Sequence, residues 1–458
     1  MSPKITVYIT CHNYGKFLDE AITSVFTQTF ADWELYLIDD GSNDNSFKIM
    51  TSYKNKTNNN VYLIKNETPI GLQKCANKVI KKSTGKYIIR LDADDYLDEN
   101  ALLVLSNYLD NHSDIALVFP NYIYVDEVGT ILAVEKRRKI GVETKVLDLP
   151  AHGACTMVRK NVIKSFGGYN TEFTAQDGHE LWLKIIDKYK VANVSTPLFY
   201  YRQHDSSLSK DQTRILEARR QIKRNIVANS TDKEKKILCI IPAKNTYRNI
   251  PNIVLTEIDG RPLIDYSIDE ALKTEGLNEI VVTTDDSNIL DYCKKYEKLI
   301  SIARPKELSK DSTLLSQVVT HTVEYMEKQH KFFPDIIVLI SVHSPLRKSH
   351  HIRKAIDTLL LYKTSSVISV FEDHDLHLKH GSNGLEPFNR SSLKKVRLER
   401  EALYTDNGAI RVLWRKTLNE KDMFGETIGH VVMPYQNSFQ VKDSLSFEII
   451  SNIIIKGE

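Results

Sequence analysis

No apolar stretch of this sequence approaches the roughly 18 to 20 residues that a membrane-spanning helix needs. The N-terminal residues also lack the apolar core of a secretory signal peptide. Cysteine is sparse: Cys11, Cys75, Cys155, Cys239 and Cys293 lie far apart and form no CxxC pair. An odd, scattered set favours reduced thiols in a cytosolic compartment. We therefore expect a cytoplasmic protein, with at most peripheral contact at the inner face of the cell membrane.

A strong charge of one sign is also missing. The 62 basic and 59 acidic side chains leave a formal net charge of +3, which gives no broad field for binding nucleic acid. Hydrophobic content of 41% and charged content of 26% are typical of a soluble globular protein. With 458 residues the chain is too long for one ordinary core, so we expect two or three domains.

In one stretch a cluster of acidic residues follows directly after an apolar run. Residues 87–91 are predicted to form a buried strand, and Asp92, Asp94 and Asp95 follow directly. Three carboxylates within four residues repel one another unless a cation or several N–H groups compensate them. Oxygen ligands of this kind suit Mg²⁺ or Mn²⁺, which commonly carry a phosphate. The alternative is an ordinary polar exit from a strand into a turn.

The N-terminal residues predict a βαβ unit. Residues 4–10 and 34–38 are strand-like, and apolar residues between 17 and 26 recur at helical spacing. The second strand also ends in acid, at Asp39 and Asp40. Further strands are predicted at 61–65 and 87–91, with a helix over Leu72–Lys82 between them. Because the carboxyl ends of parallel strands share one sheet edge, the acidic ends predict a metal and nucleotide site there.

Residues 5 to about 210 resemble a family 2 glycosyltransferase of the GT-A fold. The motifs that carry the resemblance are 9–14 (ITCHNY), 24–30 (SVFTQTF), 38–42 (IDDGS), 85–87 (GKY), 92–95 (DADD), 167–169 (GGY), 176–184 (QDGHELWLK) and 201–204 (YRQH). Ordered agreement along some 200 residues is more specific than any one motif.

The resemblance implies a nucleotide-sugar donor, usually linked to UDP. Asp39 would hold the base, Asp92 and Asp94 would form the DXD site for Mg²⁺ or Mn²⁺, and His204 would reach the metal or the diphosphate. Further donor contacts are expected from Thr10, Asn13, Tyr14, Asp40 and Lys74.

Asp177 resembles the catalytic base of that family. Inverting transfer needs one base to take a proton from the acceptor hydroxyl and a cation to offset charge on the departing diphosphate. Asp177 directly precedes a predicted helix, so the alternative role is a helix N-cap. The acceptor is expected to be a glycan or a lipid-linked glycan in surface polysaccharide synthesis.

A basic amphipathic segment separates the two halves of the chain. We assign residues 1–210 to the glycosyltransferase domain, 211–236 to a basic helix with a linker, and 237–458 to a second domain. The helix is expected either to pack as a linker with a solvated face or to rest on anionic lipid.

The second half begins a new α/β pattern, with strand-like runs at 237–241, 279–284, 336–341 and 366–370. It resembles the cytidylyltransferases that make CMP-activated acid sugars. The motifs are 241–244 (IPAK), 258–264 (IDGRPLI), 281–286 (VVTTDD), 304–305 (RP), 344–347 (SPLR) and 406–410 (DNGAI). The resemblance implies that this half binds a nucleotide through Lys244, Arg248, Ser344, Arg347 and Asn407.

Activity of the second half is a separate question. Its phosphate loop, residues 244–252, contains no glycine, although close backbone approach to phosphate favours glycine. The two metal-binding aspartates of the family correspond to Gln440 and Lys442, unless a one-residue shift brings in Asp443. A degenerate binding or assembly module is therefore the favoured hypothesis, and a working CMP-sugar synthetase is the alternative.

The expected fold class is α/β, with two Rossmann-like domains that each contain a mainly parallel sheet and flanking helices. The first would have the GT-A fold and the second a nucleotidyltransferase-like fold. The sequence leaves open whether the protein forms an oligomer.

Overall fold

A computed structural model describes residues 3–56, 60–148, 150–173, 177–204, 212–228, 235–245, 250–382, 384–388 and 403–456, except the side chains of 177 and 212–216. The chain divides into two compact units, residues 1–229 and 230–458. Each unit is built around its own sheet and its own apolar core.

The first unit contains a nine-stranded sheet in the order β3-β2-β1-β4-β8-β6-β9-β5, with β7 paired to β6. Its strands are β1 (Ile5–Cys11), β2 (Trp33–Asp40), β3 (Val61–Asn66), β4 (Tyr87–Asp92), β5 (Tyr96–Leu97), β6 (Ile115–Val125), β7 (Ile131–Glu135), β8 (Met157–Arg159) and β9 (Lys190–Arg202). Its helices are α1 (Gly15–Phe26), α2 (Ser46–Lys56), α3 (Leu72–Lys82), α4 (Ala101–Asn111), α5 (Lys160–Ser165), α6 (Asp177–Lys188) and α7 (Gln212–Ala228).

Strands β1, β2, β3 and β4 are parallel, and helices cover the sheet. Apolar side chains on both faces of these strands are buried, which is the usual composition of a parallel sheet. The register pairs Cys11 with Asp39 on one side of β1 and Thr10 with Asp92 on the other. The two acidic strand ends are therefore separated only by the end of β1.

Helix α7 belongs to the first unit. Its Ile222 is fully buried, and its Arg219 and Lys223 lie close enough to the His179 ring of α6 to affect it electrostatically. This packing favours the interpretation of the basic helix as a packed element over that of a lipid-bound one.

The second unit contains a seven-stranded sheet in the order β14-β13-β10-β15-β19-β16-β20 and two small hairpins. Its strands are β10 (Ile237–Pro242), β11 (Glu257–Ile258), β12 (Arg261–Pro262), β13 (Glu279–Thr284), β14 (Ile300–Ala303), β15 (Ile336–Ile340), β16 (Ser366–Asp373), β17 (Leu378–Gly381), β18 (Gly384–Pro387), β19 (Leu403–Trp414) and β20 (Ile428–Val432). Its helices are α8 (Leu263–Leu272), α9 (Ser287–Cys293), α10 (Leu315–Gln329), α11 (Ser349–Tyr362) and α12 (Ser444–Lys456).

The predicted fold class is confirmed. Each unit has a parallel four-stranded half, β3-β2-β1-β4 or β14-β13-β10-β15, and the antiparallel strands β8 and β19 connect these halves to mixed remainders. No helix in the described part of the chain is both long enough and apolar enough to span a bilayer.

Candidate functional site

The carboxyl edge of the first sheet contains buried polar atoms without a protein partner. Oδ1 of Asp39 accepts a hydrogen bond from the Ser42 N–H at 3.1 Å. Oδ2 of Asp39 and the hydroxyl of the neighbouring Thr10 are buried and have no hydrogen-bond partner among the described residues. Buried polar atoms are normally paired, so unpaired ones at the ends of two adjacent strands suit a ligand that binds at this edge.

Asp40, in contrast, is fully engaged with the protein. Its carboxylate accepts hydrogen bonds from the N–H groups of Ile70 and Gly71 at 2.9 Å and from Nδ2 of Asn66 at 2.8 Å. Burial alone would raise the pKa of Asp40, but these hydrogen bonds outweigh it and lower the pKa. Asp40 thus holds the loop that leads into α3, and any effect on a donor would be indirect.

The loop after β1 is fixed by side chains of the loop after β2. Asn13 has a left-handed backbone with φ of 61°, which asparagine tolerates better than most residues. Its N–H donates to Ser42 Oγ at 3.1 Å, and its Oδ1 accepts from the Asn43 N–H at 2.8 Å. Lys74 lies in the first turn of α3, with an exposed side chain.

Asp94 and His204 lie together at the same edge. Nε2 of His204 is 2.9 Å from Oδ2 of Asp94, and the imidazole is almost fully buried. The rings of Tyr14 and Phe17 pack against His204, with centroid distances of 5.7 and 5.0 Å. The structure therefore brings His204 into contact with Asp94 of the DXD segment, and the predicted role of His204 toward a metal or diphosphate stays a prediction.

Asp92 is held by an arginine that the motif does not include. Nε of Arg90 is 2.8 Å from Oδ1 of Asp92, and Nη2 donates to Oδ2 at 3.0 Å. Two parallel contacts of this kind fix a carboxylate in place. Sequence reasoning missed Arg90; its only signal was a cationic residue inside an otherwise apolar strand.

Asp95 braces the turn through the end of β9. Its Oδ1 accepts from the Arg202 N–H at 2.9 Å. The buried Arg202 side chain donates to the Asp94 carbonyl at 2.9 Å and to the Glu127 carbonyl at 2.8 Å, and it forms an ion pair with Glu20. Arg202 therefore connects the DXD turn to the turn after β6.

The local charge at this edge is negative. Burial and the neighbouring Asp92 raise the pKa of Asp94, and burial with Asp94 and Asp92 raises the pKa of Tyr14 to about 12. Among the described residues no set of three His, Cys, Asp or Glu side chains is grouped as a metal site. Asp94 and His204 nevertheless form an adjacent oxygen and nitrogen pair, with Asp92 beside them. This donor set and its excess negative charge fit a divalent cation.

A recess lies next to Arg90. Its lining includes Tyr8, Arg90, His152, Tyr169 and Trp182. The Tyr8 and Tyr169 hydroxyls are 3.3 Å apart, and Nδ1 of His152 accepts from the Ala154 N–H at 3.2 Å. No sequence pattern pointed to His152. The recess is too small to hold a sugar ring in this structure.

The start of α6 lies beside this recess. A Cβ at Gly178 would be 3.1 Å from Cα of Gly153, and a Cβ at Gly153 would be 3.0 Å from Nη2 of Arg90. The backbone at Asp177 is therefore close to the Arg90 and Asp92 pair, although the Asp177 side chain lies outside the described residues.

In the second unit, Lys244 and Asn407 form contacts within the protein. Lys244 is 2.5 Å from Asp311. Asn407 is buried, accepts from Ser369 Oγ at 2.5 Å and donates to Ser438 Oγ at 2.8 Å. These hydrogen bonds give Asn407 a packing role in this structure. Arg248 lies outside the described residues.

Ser344 and Arg347 lie near Gln440, one of the two residues that correspond to the metal-binding aspartates of the family. Gln440 Nε2 donates to Ser344 Oγ at 3.4 Å. Arg347 is fully buried and donates to the Ser341 carbonyl at 2.9 Å, while its Nε and Nη2 have no partner among the described residues. Burial lowers the pKa of Arg347 to about 10. Asp443 accepts from the Ser446 N–H at 2.8 Å and so caps α12, while Lys442 is exposed.

The family comparisons agree with this division into two units. The sequence profile of glycosyl transferase family 2 matches residues 6–167, and the cytidylyltransferase profile matches residues 238–438. The two matched segments do not overlap. Together they account for the resemblances that the sequence predicted in each half.

Individual relatives are moderately similar. An uncharacterized glycosyltransferase of Methanocaldococcus jannaschii is 29% identical over 217 residues, covering 45% of this chain and 74% of the relative. The Escherichia coli UDP-Glc:alpha-D-GlcNAc-diphosphoundecaprenol beta-1,3-glucosyltransferase WfgD is 25% identical over 232 residues, covering 49% of this chain and 87% of the relative.

The second half matches a different protein. The pseudaminic acid cytidylyltransferase of Campylobacter jejuni is 28% identical over 137 residues, covering 30% of this chain and 59% of the relative. The match therefore spans about three fifths of that relative's length. The chain is thus an enzyme with a glycosyl transferase family 2 domain joined to a domain of the cytidylyltransferase family.

Proposed function

We propose that the first unit is a metal-dependent inverting glycosyltransferase that moves a sugar from a nucleotide-sugar, most simply a UDP-sugar, to a glycan or lipid-linked acceptor. The observation that carries the proposal is the contact of His204 with Asp94 at 2.9 Å, beside the Asp92 carboxylate. His204 and Asp94 thus bring two distant segments together at the carboxyl edge of the sheet, which supports a donor diphosphate site there.

We propose a separate role for each group of residues at this edge. The unpaired Oδ2 of Asp39 and the Thr10 hydroxyl are available to a nucleobase or ribose. Asp94 and His204, with Asp92, would hold Mg²⁺ or Mn²⁺, whose positive charge offsets that of the departing diphosphate. Arg90 keeps the Asp92 carboxylate in one orientation.

Asp177 is proposed as the base. The acceptor hydroxyl oxygen attacks the anomeric carbon while the bond from that carbon to the diphosphate oxygen breaks. The hydroxyl proton passes to the Asp177 carboxylate. The nearness of the α6 start to Gly153 and Arg90 supports this assignment.

The likeness to WfgD supports the choice of donor and acceptor class. The name of that relative specifies UDP-glucose and a diphosphoundecaprenol-linked acceptor. For this chain we propose the same chemical classes and leave the sugar open.

We propose that the second unit is a degenerate binding or assembly module. Lys244 is paired with Asp311, and Gln440 and Lys442 stand where carboxylates are expected. An amide is a weak metal ligand and an ammonium is none. The alternative, a working synthetase for a CMP-linked acid sugar, is favoured by the likeness to pseudaminic acid cytidylyltransferase.

The test is a donor screen with the full-length protein. UDP-, GDP-, dTDP- and CMP-sugars are incubated with Mn²⁺ or Mg²⁺ and a lipid-diphosphate glycan, and release of nucleoside diphosphate or monophosphate is measured. We expect release of UDP that depends on acceptor and cation. Turnover that is unchanged in excess chelator would contradict the metal-dependent proposal.

A further inference from the structure

One surface of the first unit exposes apolar side chains beside a run of cations. We call it the hairpin patch and define it by the exposed apolar residues Val128, Ile131, Leu132, Val134 and Val142 and the exposed basic residues Lys136, Arg138, Lys139 and Lys145. The exposed fraction reaches 85% for Val128 at the hairpin turn and 76% for Val142. Val128, Ile131, Leu132 and Val134 are neighbours on one hairpin, and exposed apolar residues grouped in this way usually mark an interaction surface.

The strand register puts two of these side chains on one side of the hairpin. Val134 lies opposite Ile123, and Ile131 lies opposite Val125, so both share a face with their partners on β6. The β6 residues are buried, whereas Val134 and Ile131 are 46% and 61% exposed. Among the described strands, β7 pairs with β6 alone. Its apolar side chains therefore extend beyond the core of the unit.

The basic run is held in place by its backbone. The Arg137 N–H donates to Oδ1 of the buried Asn121 at 2.8 Å. Oδ1 of the buried Asn193 accepts from the Ile140 N–H at 3.0 Å, and its Nδ2 donates to the Arg138 carbonyl at 3.2 Å. Two buried asparagines thus fix a segment in which Lys136, Arg138 and Lys139 are exposed to solvent.

The patch is cationic as well as apolar. Residues 128–145 contain five basic and two acidic side chains. Of the two acids, Glu135 pairs with Arg137 at 3.6 Å and Glu143 accepts from the Lys139 N–H at 2.7 Å. Lys136, Lys139 and Lys145 keep their charge directed outward.

We propose that the hairpin patch docks on an anionic lipid membrane. Apolar side chains next to clustered lysine and arginine are the combination that binds the interface of a bilayer with acidic headgroups. A nucleic acid would use the cations but leave the apolar side chains in water. An anionic lipid surface can contact both the apolar and the basic side chains of the patch.

Arg202 connects the hairpin patch to the proposed donor site. Arg202 donates to the Asp126 and Glu127 carbonyls at the hairpin turn and also to the Asp94 carbonyl of the DXD turn. A docked hairpin would therefore hold the donor site next to the lipid headgroups. This inference rests on the proposed function insofar as a lipid-linked acceptor lies in that membrane.

The experiment is flotation of the full-length protein with vesicles of phosphatidylethanolamine and phosphatidylglycerol, compared with vesicles of phosphatidylcholine alone. We expect binding to the anionic vesicles that weakens as salt rises. Neutralising Lys136, Lys139 and Lys145 with glutamine should lower the vesicle partition coefficient about a hundredfold, since each charge near the surface contributes about fivefold. Ile131→Ser with Val134→Ser should lower it as well, because the exposed side chains lose their apolar contact.

The matched control removes three exposed lysines elsewhere in the same unit, Lys48, Lys81 and Lys82, also by glutamine. This variant has the same net charge as the variant that lacks the three patch lysines, and it should keep most of the vesicle binding. Equal loss in the control and the patch variant, no vesicle binding by the unaltered protein, or self-association through the patch without lipid binding would overturn the proposal.

Activity on a soluble acceptor analogue separates this inference from the proposed function. The patch variants should keep that activity while losing turnover on the acceptor embedded in vesicles. An enzyme that is inactive on both acceptors but still binds vesicles through the patch would contradict the proposed function and leave the docking surface supported.

Discussion

Nε2 of His204 lies 2.9 Å from Oδ2 of Asp94, although the two residues are 110 positions apart in the chain. Arg202, two residues before His204, reinforces this contact because its side chain donates to the Asp94 carbonyl and its N–H donates to the Asp95 carboxylate. The end of β9 is therefore fixed to the end of β4, and the following imidazole is aimed at the acidic turn.

Asp94→Ala should abolish sugar transfer with little loss of stability. The carboxylate is a proposed metal ligand, whereas burial and Asp92 already raise its pKa, so its removal relieves repulsion in the folded protein. We expect at least about a hundredfold lower turnover and a change in the free energy of unfolding within about 1 kcal/mol.

The measurements are nucleoside diphosphate release and urea denaturation of the same preparation. His204→Ala should show a smaller loss that excess Mn²⁺ partly restores. Full turnover in Asp94→Ala would rule out the proposed metal site.

Asp177→Asn should spare donor binding and lower turnover by about a hundredfold to ten-thousandfold, the range typical of a lost general base. Asn keeps the capping ability of Asp at a helix N-terminus, so α6 should form normally. Calorimetric titration with the donor and a turnover assay separate the two effects. Asp187→Asn, an exposed change on the same helix, serves as the control. Undiminished turnover in Asp177→Asn would refute the base assignment.

The first unit should lose stability in acid through His179. Burial, with Lys223 and Arg219 nearby, lowers the pKa of His179 to about 3 from the ordinary 6.5. The unfolded chain then binds this proton more tightly than the folded protein, so stability falls as the pH falls from about 6.5 towards 3, with a slope of about 1.4 kcal/mol per pH unit.

His179→Leu should remove that part of the slope, since neither ring nitrogen has a partner among the described residues. Urea denaturation is best followed by tryptophan fluorescence in a Trp414→Phe background. The chain has 3 tryptophans, and the remaining two, Trp33 and Trp182, both lie in the first unit. Identical slopes with and without His179 would mean that another group controls the acid sensitivity.

The second unit should release no pyrophosphate from CTP. Gln440 contacts Ser344, and the neighbouring Asp443 already caps α12, so two carboxylates are not available at the expected metal positions. The full-length protein is incubated with CTP, Mg²⁺ and acid sugars such as pseudaminic acid, and pyrophosphate is measured. Asp94→Ala, which we expect to be inactive in transfer, provides a background free of the first reaction. Steady pyrophosphate release would establish the bifunctional alternative.

Much of the architecture followed from local patterns. The helix Leu72–Lys82 has the predicted bounds, and the strand Glu279–Thr284 does too, because apolar spacing alone identifies such elements. The acidic ends of β2 and β4 had to share one edge once both strands were parallel to β1.

The sequence by itself determined the two α/β units and the acidic edge of the first sheet, since both follow from residue order and from the alternation of apolar and polar segments. Only the tertiary structure decided that Arg90 holds Asp92, that Asp40 and Asn407 are engaged by the protein, and that the cations after β7 lie beside exposed apolar side chains. These features depend on which distant segments meet, and that is set by the topology of the sheet and the packing around it, which no local pattern encodes.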